Sequence, residues 1–144
     1  MIEKEHTDLV IGSYRHRTIS GDILKVSSYQ DEIIIGKDNI IKRNFKKEGN
    51  YNFHFASWSK IYSMDFLKKN NICYREDVIL DDWVFSYLIY TQSNSIAFTS
   101  QIVYEYTVQR PGSIVNTKAT MQTELVYQSW KGLAEFYSQQ LECA

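Results

Sequence analysis

Hydrophobic and polar positions alternate along the chain in blocks that predict an α/β protein. Asp8-Leu9-Val10-Ile11-Gly12-Ser13-Tyr14 has a continuous apolar centre. That is the pattern of a strand buried on both faces, as in a parallel or mixed sheet. Arg15-His16-Arg17-Thr18 is short and basic and reads as a loop. From Ile23 to Ile35 the residues favour β structure, interrupted by Ser27 and Ser28 and closed by Gly36. Ile40, Ile41 and Phe45 have helical spacing and predict a short helix. Lys46-Lys47-Glu48-Gly49-Asn50 is a polar, turn-rich break.

The second half is more aromatic. Phe53, His54, Phe55, Trp58 and Tyr62 crowd into one segment. Ser63 is placed to cap a short helix through Phe66 and Leu67, which Asn70-Asn71 would end. Asp81 or Asp82 can cap a second helix carrying Trp83, Phe85, Leu88 and Ile89. Ser95–Thr99 and Ile102–Tyr106 read as two short strands, the second alternating with Ile102, Tyr104 and Tyr106 on one face. Arg110-Pro111-Gly112-Ser113 is a turn. Met121, Leu125, Trp130, Leu133, Tyr137 and Leu141 then form the apolar stripe of a long C-terminal helix.

Composition narrows the classes. The 144 residues fit one domain. With 44% apolar residues, among them 3 Trp, 11 Tyr and 7 Phe, the chain can bury a real core, which argues against wholesale disorder. A net charge of -1, from 16 basic and 17 acidic residues, argues against a nucleic-acid polymer as partner. The longest apolar run, Trp83 to Tyr90, is far short of the ~20 residues a membrane-spanning helix needs. The charged start Met1-Ile2-Glu3-Lys4-Glu5-His6 has no signal-peptide core. Cys73 and Cys143 make neither a disulfide framework nor a metal knuckle. The expectation is a cytoplasmic protein with reduced thiols.

Three clusters could carry chemistry. Glu76-Asp77-Val78-Ile79-Leu80-Asp81-Asp82 holds four carboxylates. A carboxylate there can cap the helix and complement its dipole, or act as general base toward a hydroxyl. Adjacent Asp side chains point in different directions, so both roles fit side by side. Trp58-Ser59-Lys60-Ile61-Tyr62 reads either as core aromatics with a solvated Lys or as an aromatic platform beside a cation, suited to a sugar ring or phosphate. Arg110, in its turn, is either exposed or forks onto a diphosphate. His6, His16 and His54 lack metal-ligand spacing, and no phosphate-binding glycine loop or serine nucleophile elbow is present.

The order of these features resembles the C-terminal part of a family 2 glycosyltransferase with the GT-A fold, of the kind that builds bacterial capsule, cell-wall or exopolysaccharide chains. The resemblance runs from about Asp8 to Ile114. It rests on Trp58-x-Lys60-x-Tyr62, Lys68-Lys69-Asn70-Asn71-Ile72, Asp81-Asp82, Tyr104-x-Tyr106 and Arg110-Pro111-Gly112-Ser113-Ile114. It implies a partial GT-A-like mixed sheet with flanking helices over residues 1–115, followed by a C-terminal helix over 116–144. It also implies that Asp82 is the catalytic base, deprotonating a saccharide acceptor that attacks a nucleotide-sugar donor with inversion. Asp81 supports Asp82, standing where the family usually has Glu. By the same resemblance Trp58 and Lys60 lie on the acceptor side, and Arg110 and Ser113 near the donor diphosphate. Thr107 occupies a place where the family often has Arg.

The family's N-terminal half, with an early Asp and an Asp-x-Asp motif for Mg²⁺ or Mn²⁺, has no counterpart in these residues. The resemblance therefore implies a metal for the complete enzyme, none bound by this chain alone, and little activity without a donor-binding half. The expected location is the cytoplasm, extending to the inner face of the membrane. Two other classes stay open. One is a non-catalytic binding module, such as a homo-oligomer formed through an exposed strand edge. The other is a metal-dependent phosphoryl-transfer or hydrolase domain using Glu76, Asp77, Asp81 and Asp82.

Overall fold

The structure, a computed structural model, describes residues 6–45, 53–74, 81–108 and 110–111, together with Tyr127, Lys131, Ala134, Glu135 and Ser138. Among these residues the elements are strands β1 (Leu9–Arg17), β2 (Ile23–Ser27) and β3 (Glu32–Ile35), helix α1 (Lys37–Phe45), strand β4 (Lys60–Tyr62), helices α2 (Met64–Lys69) and α3 (Asp81–Gln92), and strand β5 (Ser95–Thr107). The expected α/β class holds, with a mixed sheet and flanking helices.

β1 and β5 run parallel through the middle of the sheet, and β3 lies antiparallel on the far side of β5. The free edge of β1 is shared by two antiparallel strands. β4 pairs Leu9–Ile11, and β2 pairs Tyr14–Arg17. Burial follows the same division. The first halves of β1 and β5 are buried, whereas the second halves emerge toward solvent. Leu9, Ile11, Ile34, Ile96 and Phe98 form the floor of the core, covered by Ile40, Phe66, Phe85, Ile89 and Tyr90. Each such side chain, fully buried, stabilises the fold by roughly 1.5–3 kcal/mol.

Two expectations are corrected. Arg15-His16-Arg17 is not a loop but the end of β1, where Arg15 and Arg17 share the one carboxylate of Glu105 on β5. The two predicted strands after Ser95 are one, β5. The irregularity at Ser100-Gln101 is a bulge: β5 advances from Thr99 to Tyr104 while β1 advances only from Gly12 to Tyr14. On the β5 side Ser13 Oγ patches the broken ladder by donating to Thr99 O at 3.0 Å, while on the other side of β1 Ser59 Oγ donates to Gly12 O at 2.8 Å.

Local chemistry fixes the helices. Gly36, at φ +95, makes the turn from β3 into α1, a conformation that glycine adopts without a Cβ penalty. Ser63 caps α2 as predicted, its Oγ accepting from Phe66 N at 3.3 Å, and Asn70 closes it by donating to Phe66 O. Asp8 Oδ2 accepts from Asn94 N at 2.7 Å and Ser95 N at 3.1 Å, tying the exit of α3 to the start of β1. Tyr127, Lys131, Ala134, Glu135 and Ser138 of the predicted C-terminal helix are helical. The residues of its apolar stripe lie outside the described set, as do Lys46–Asn50, Glu76, Asp77 and Ser113.

Candidate functional site

Asp81 and Asp82 occupy the first turn of α3, where carboxylates complement the positive end of the helix dipole. Asp81 Oδ1 accepts from Asp82 N at 2.9 Å. Asp82 is half-buried and bears electrostatically on Lys60, Tyr62 and Tyr74. The two adjacent acids thus share the first turn of α3, and the charge of Asp82 is felt on β4.

From Asp82, steps of four residues reach Ser86 and Tyr90, and such steps follow one face of a helix. Both are buried, and both bond the segment that precedes β4. Ser86 Oγ donates to Phe55 O at 2.7 Å, and Tyr90 Oη to His54 O at 2.6 Å. Lys60 Nζ donates to His54 O at 2.6 Å and to Ala56 O at 2.5 Å, and Tyr62 Oη donates to Ser57 O at 2.9 Å. Four successive carbonyls, His54 to Ser57, are therefore held by side chains rather than by a strand or helix. Ser59 follows at φ +61, a sparsely populated conformation for a residue with a Cβ. Its backbone and side chain both bond Gly12, which keeps it there.

Trp58 sits between this segment and the emergent ends of β1 and β5. It stacks on Tyr104 (4.9 Å, 15°), Tyr106 (5.1 Å, 20°) and His54 (4.9 Å, 30°), with Tyr14 edge-on at 4.7 Å. The register pairs Tyr14 with Tyr104 and His16 with Tyr106, so these rings share one side of the sheet. Trp83, next to Asp82, stacks on Phe55 at 4.9 Å and 8°. Tyr74 stacks on Phe85 at 4.0 Å. The aromatic excess of the sequence is concentrated here.

Burial governs the titration of the site. It pushes the Lys60 ammonium down to about 7, while the charge of Asp82 pulls it back up. It holds His54 neutral, with its imidazole lowered to about 3 by burial and by the nearby Lys60 charge. Tyr62 and Tyr90 are raised far above the ordinary phenol range, again by burial.

The structure thus brings Asp81, Asp82, Trp58 and Lys60 to one end of the sheet. Arg110 is exposed beyond the end of β5, and Ser113 lies outside the described residues. Ser86, Tyr90 and Tyr74 lie here too and were not among the sequence candidates, whereas Tyr62 belonged to the Trp58–Tyr62 cluster. A signal for the first two existed, since polar Ser86 and Tyr90 recur at helical spacing from Asp82. Among the described residues no three His, Cys, Asp or Glu side chains converge as a metal cage.

No family model and no curated protein matches the sequence. Among solved structures, the chain is similar to S. aureus TarS 1-349, a glycosyltransferase, at 22% identity and a TM-score of 0.51, over 74% of this chain and 29% of that one. The same protein in complex with UDP-GlcNAc gives 20% identity and a TM-score of 0.54, over 81% and 31%. The chain spans less than a third of the length of these structures. At such identity the likeness speaks to architecture, and the chain has a glycosyltransferase-like fold.

Proposed function

We propose that the chain forms the acceptor side of an inverting, nucleotide-sugar-dependent glycosyltransferase of family 2. The observation that carries this reading is the position of Asp82. It stands in the first turn of α3, where its charge bears on Lys60 and Tyr62, within a glycosyltransferase-like fold. A carboxylate there is suited to take the proton from an acceptor hydroxyl. The oxygen then attacks the anomeric carbon of the donor, and the bond to the diphosphate breaks as the new glycosidic bond forms. The exposed rims of Tyr104 and Trp83 offer apolar surface for a saccharide ring. Arg110 and Ser113 are proposed for the donor diphosphate, which a nucleoside-diphosphate sugar would bring from the cytoplasmic side. The product would be a bacterial surface polysaccharide.

Mg²⁺ or Mn²⁺ is the metal that the family resemblance implies for a complete enzyme. The described residues do not fit it, because no cage of three ligands is present among them. The steps above run through side chains only. No described helix is long and apolar enough to cross a membrane.

Asp82→Asn, assayed with UDP-sugars and saccharide acceptors in the polypeptide that carries this chain, is expected to lower transfer by about 10²–10⁴-fold. Asp81→Asn should lower it less, since its carboxylate serves the helix. Transfer at near wild-type rate in Asp82→Asn refutes the assignment of the base. A second reading, association with a second copy of the chain, is favoured by exposed Ile35 and Ile61 on the outer strands β3 and β4. Sedimentation of a monomer at high concentration would refute it.

A further inference from the structure

Lys60 makes contacts that a substrate-binding lysine does not need. Its Nζ donates to the carbonyls of His54 and Ala56, lies 3.5 Å from Ser86 Oγ, and sits 5.2 Å from the centre of the Tyr90 ring. An ammonium has three donors and no acceptor. Two of the three are taken by backbone oxygens, and the third points to the Ser86 hydroxyl at the outer limit of bonding. The groups that fill its surroundings come from β4, α3 and the segment before β4, all within the protein.

We propose that Lys60 is a positioning residue: its ammonium clamps the His54–Ser57 segment onto α3 and thereby sets where Trp58 stands relative to Asp82. The functional part of this inference rests on the acceptor-side reading above. The structural part does not. The segment has no ladder of its own, and its carbonyls are met by side chains from two elements. Tyr62 and Lys60 reach it from β4, and Ser86 and Tyr90 reach it from α3. Tyr62 bonds one of the four carbonyls and packs on Phe85 of α3, whereas Lys60 bonds two of them and approaches Ser86. Trp58 follows directly in sequence, so its stack on Tyr104 and Tyr106 depends on where the segment is held. A displacement of about 1 Å between base and acceptor platform is enough to cost on the order of 10²-fold in rate.

The test uses the full 144-residue chain with Trp83→Phe and Trp130→Phe, leaving Trp58 as the reporter. Lys60→Met keeps the length and apolar stem of the side chain and removes its donors. The near-ultraviolet circular dichroism of Trp58 is expected to fall by about half or more, with its emission moving to the red, as the ring leaves its stack. Unchanged Trp58 signals in a cooperatively melting Lys60→Met chain overturn the proposal. If that variant does not melt cooperatively, carbon NMR of the wild-type chain decides. The His54 and Ala56 carbonyl shifts must move together with titration of the Lys60 ammonium, and independence from it overturns the clamp.

In the transfer assay, a clamp predicts that kcat falls about tenfold or more, whereas a direct acceptor contact would raise KM and leave kcat unchanged. The latter result also overturns the proposal. Failure of the Asp82 assignment would appear as retained transfer in Asp82→Asn and would leave the Trp58 signals untouched, so the two failures are separable.

Discussion

Replacing Ser86 by Ala should cost more stability than replacing Tyr90 by Phe, although tyrosine is by far the larger residue. Each change deletes one hydroxyl donor to a neighbouring carbonyl of the same segment. The difference lies in what remains. His54 O keeps Lys60 Nζ at 2.6 Å after Tyr90→Phe, so no acceptor is stranded. That change should cost about 0.5–1.5 kcal/mol, the net value of one hydrogen bond. Among the described residues Phe55 O is held by Ser86 alone. After Ser86→Ala a shielded carbonyl loses its partner, a loss of about 1–3 kcal/mol. Alanine returns up to about 0.5 kcal/mol through its better helix propensity in α3. The net expectation is about 0.5–2.5 kcal/mol for Ser86→Ala, a range centred above that for Tyr90→Phe. Urea unfolding of both variants, with unchanged m-values, measures the two costs on one scale. If Tyr90→Phe proves equal or more costly, the carbonyls are not satisfied one by one as the geometry implies, and the argument fails.

Three further outcomes follow from the packing. Gly12→Ala would drive a Cβ into the Val103 methyl groups across the bulge, costing about 1–3 kcal/mol, and Val103→Ala in the same chain should recover much of it by thermal melting. Phe98→Ala removes a fully buried ring that packs on Tyr29 and Phe53, and should cost about 3–5 kcal/mol in denaturant titration. His54 is held neutral down to about pH 3, whereas an unfolded histidine titrates near ~6.5. Between those values the unfolded chain takes up the proton and the folded chain does not, so this contribution is complete above the higher value and is lost as pH falls toward the lower one. His54→Phe keeps a ring in the stack without the titration, and its melting temperature should drop less than that of the wild type between pH 7 and pH 4.

Local signals were legible in the residues themselves. The apolar run Leu9-Val10-Ile11 implied a doubly buried strand, and Ser63 and Asn70 marked the ends of α2, because these effects act over a few neighbours. Asp81-Asp82 announced a helix start for the same reason. What a window of neighbours does not hold is long-range pairing. Arg15 and Arg17 looked like a loop because their partner, Glu105, is about ninety positions away. The break at Ser100-Gln101 looked like a strand end because a bulge and a turn use similar residues, and only the continued pairing with β1 distinguishes them. The site divides in the same way. Residue types and order pointed to Asp82, Trp58 and Lys60. The packing of α3 against the segment before β4 decided that Lys60 turns inward to backbone carbonyls and that Trp58 lies stacked on Tyr104 and Tyr106. Caps and periodicities are written locally, but which charge is matched and which ring face is covered depend on elements that meet only in the folded chain.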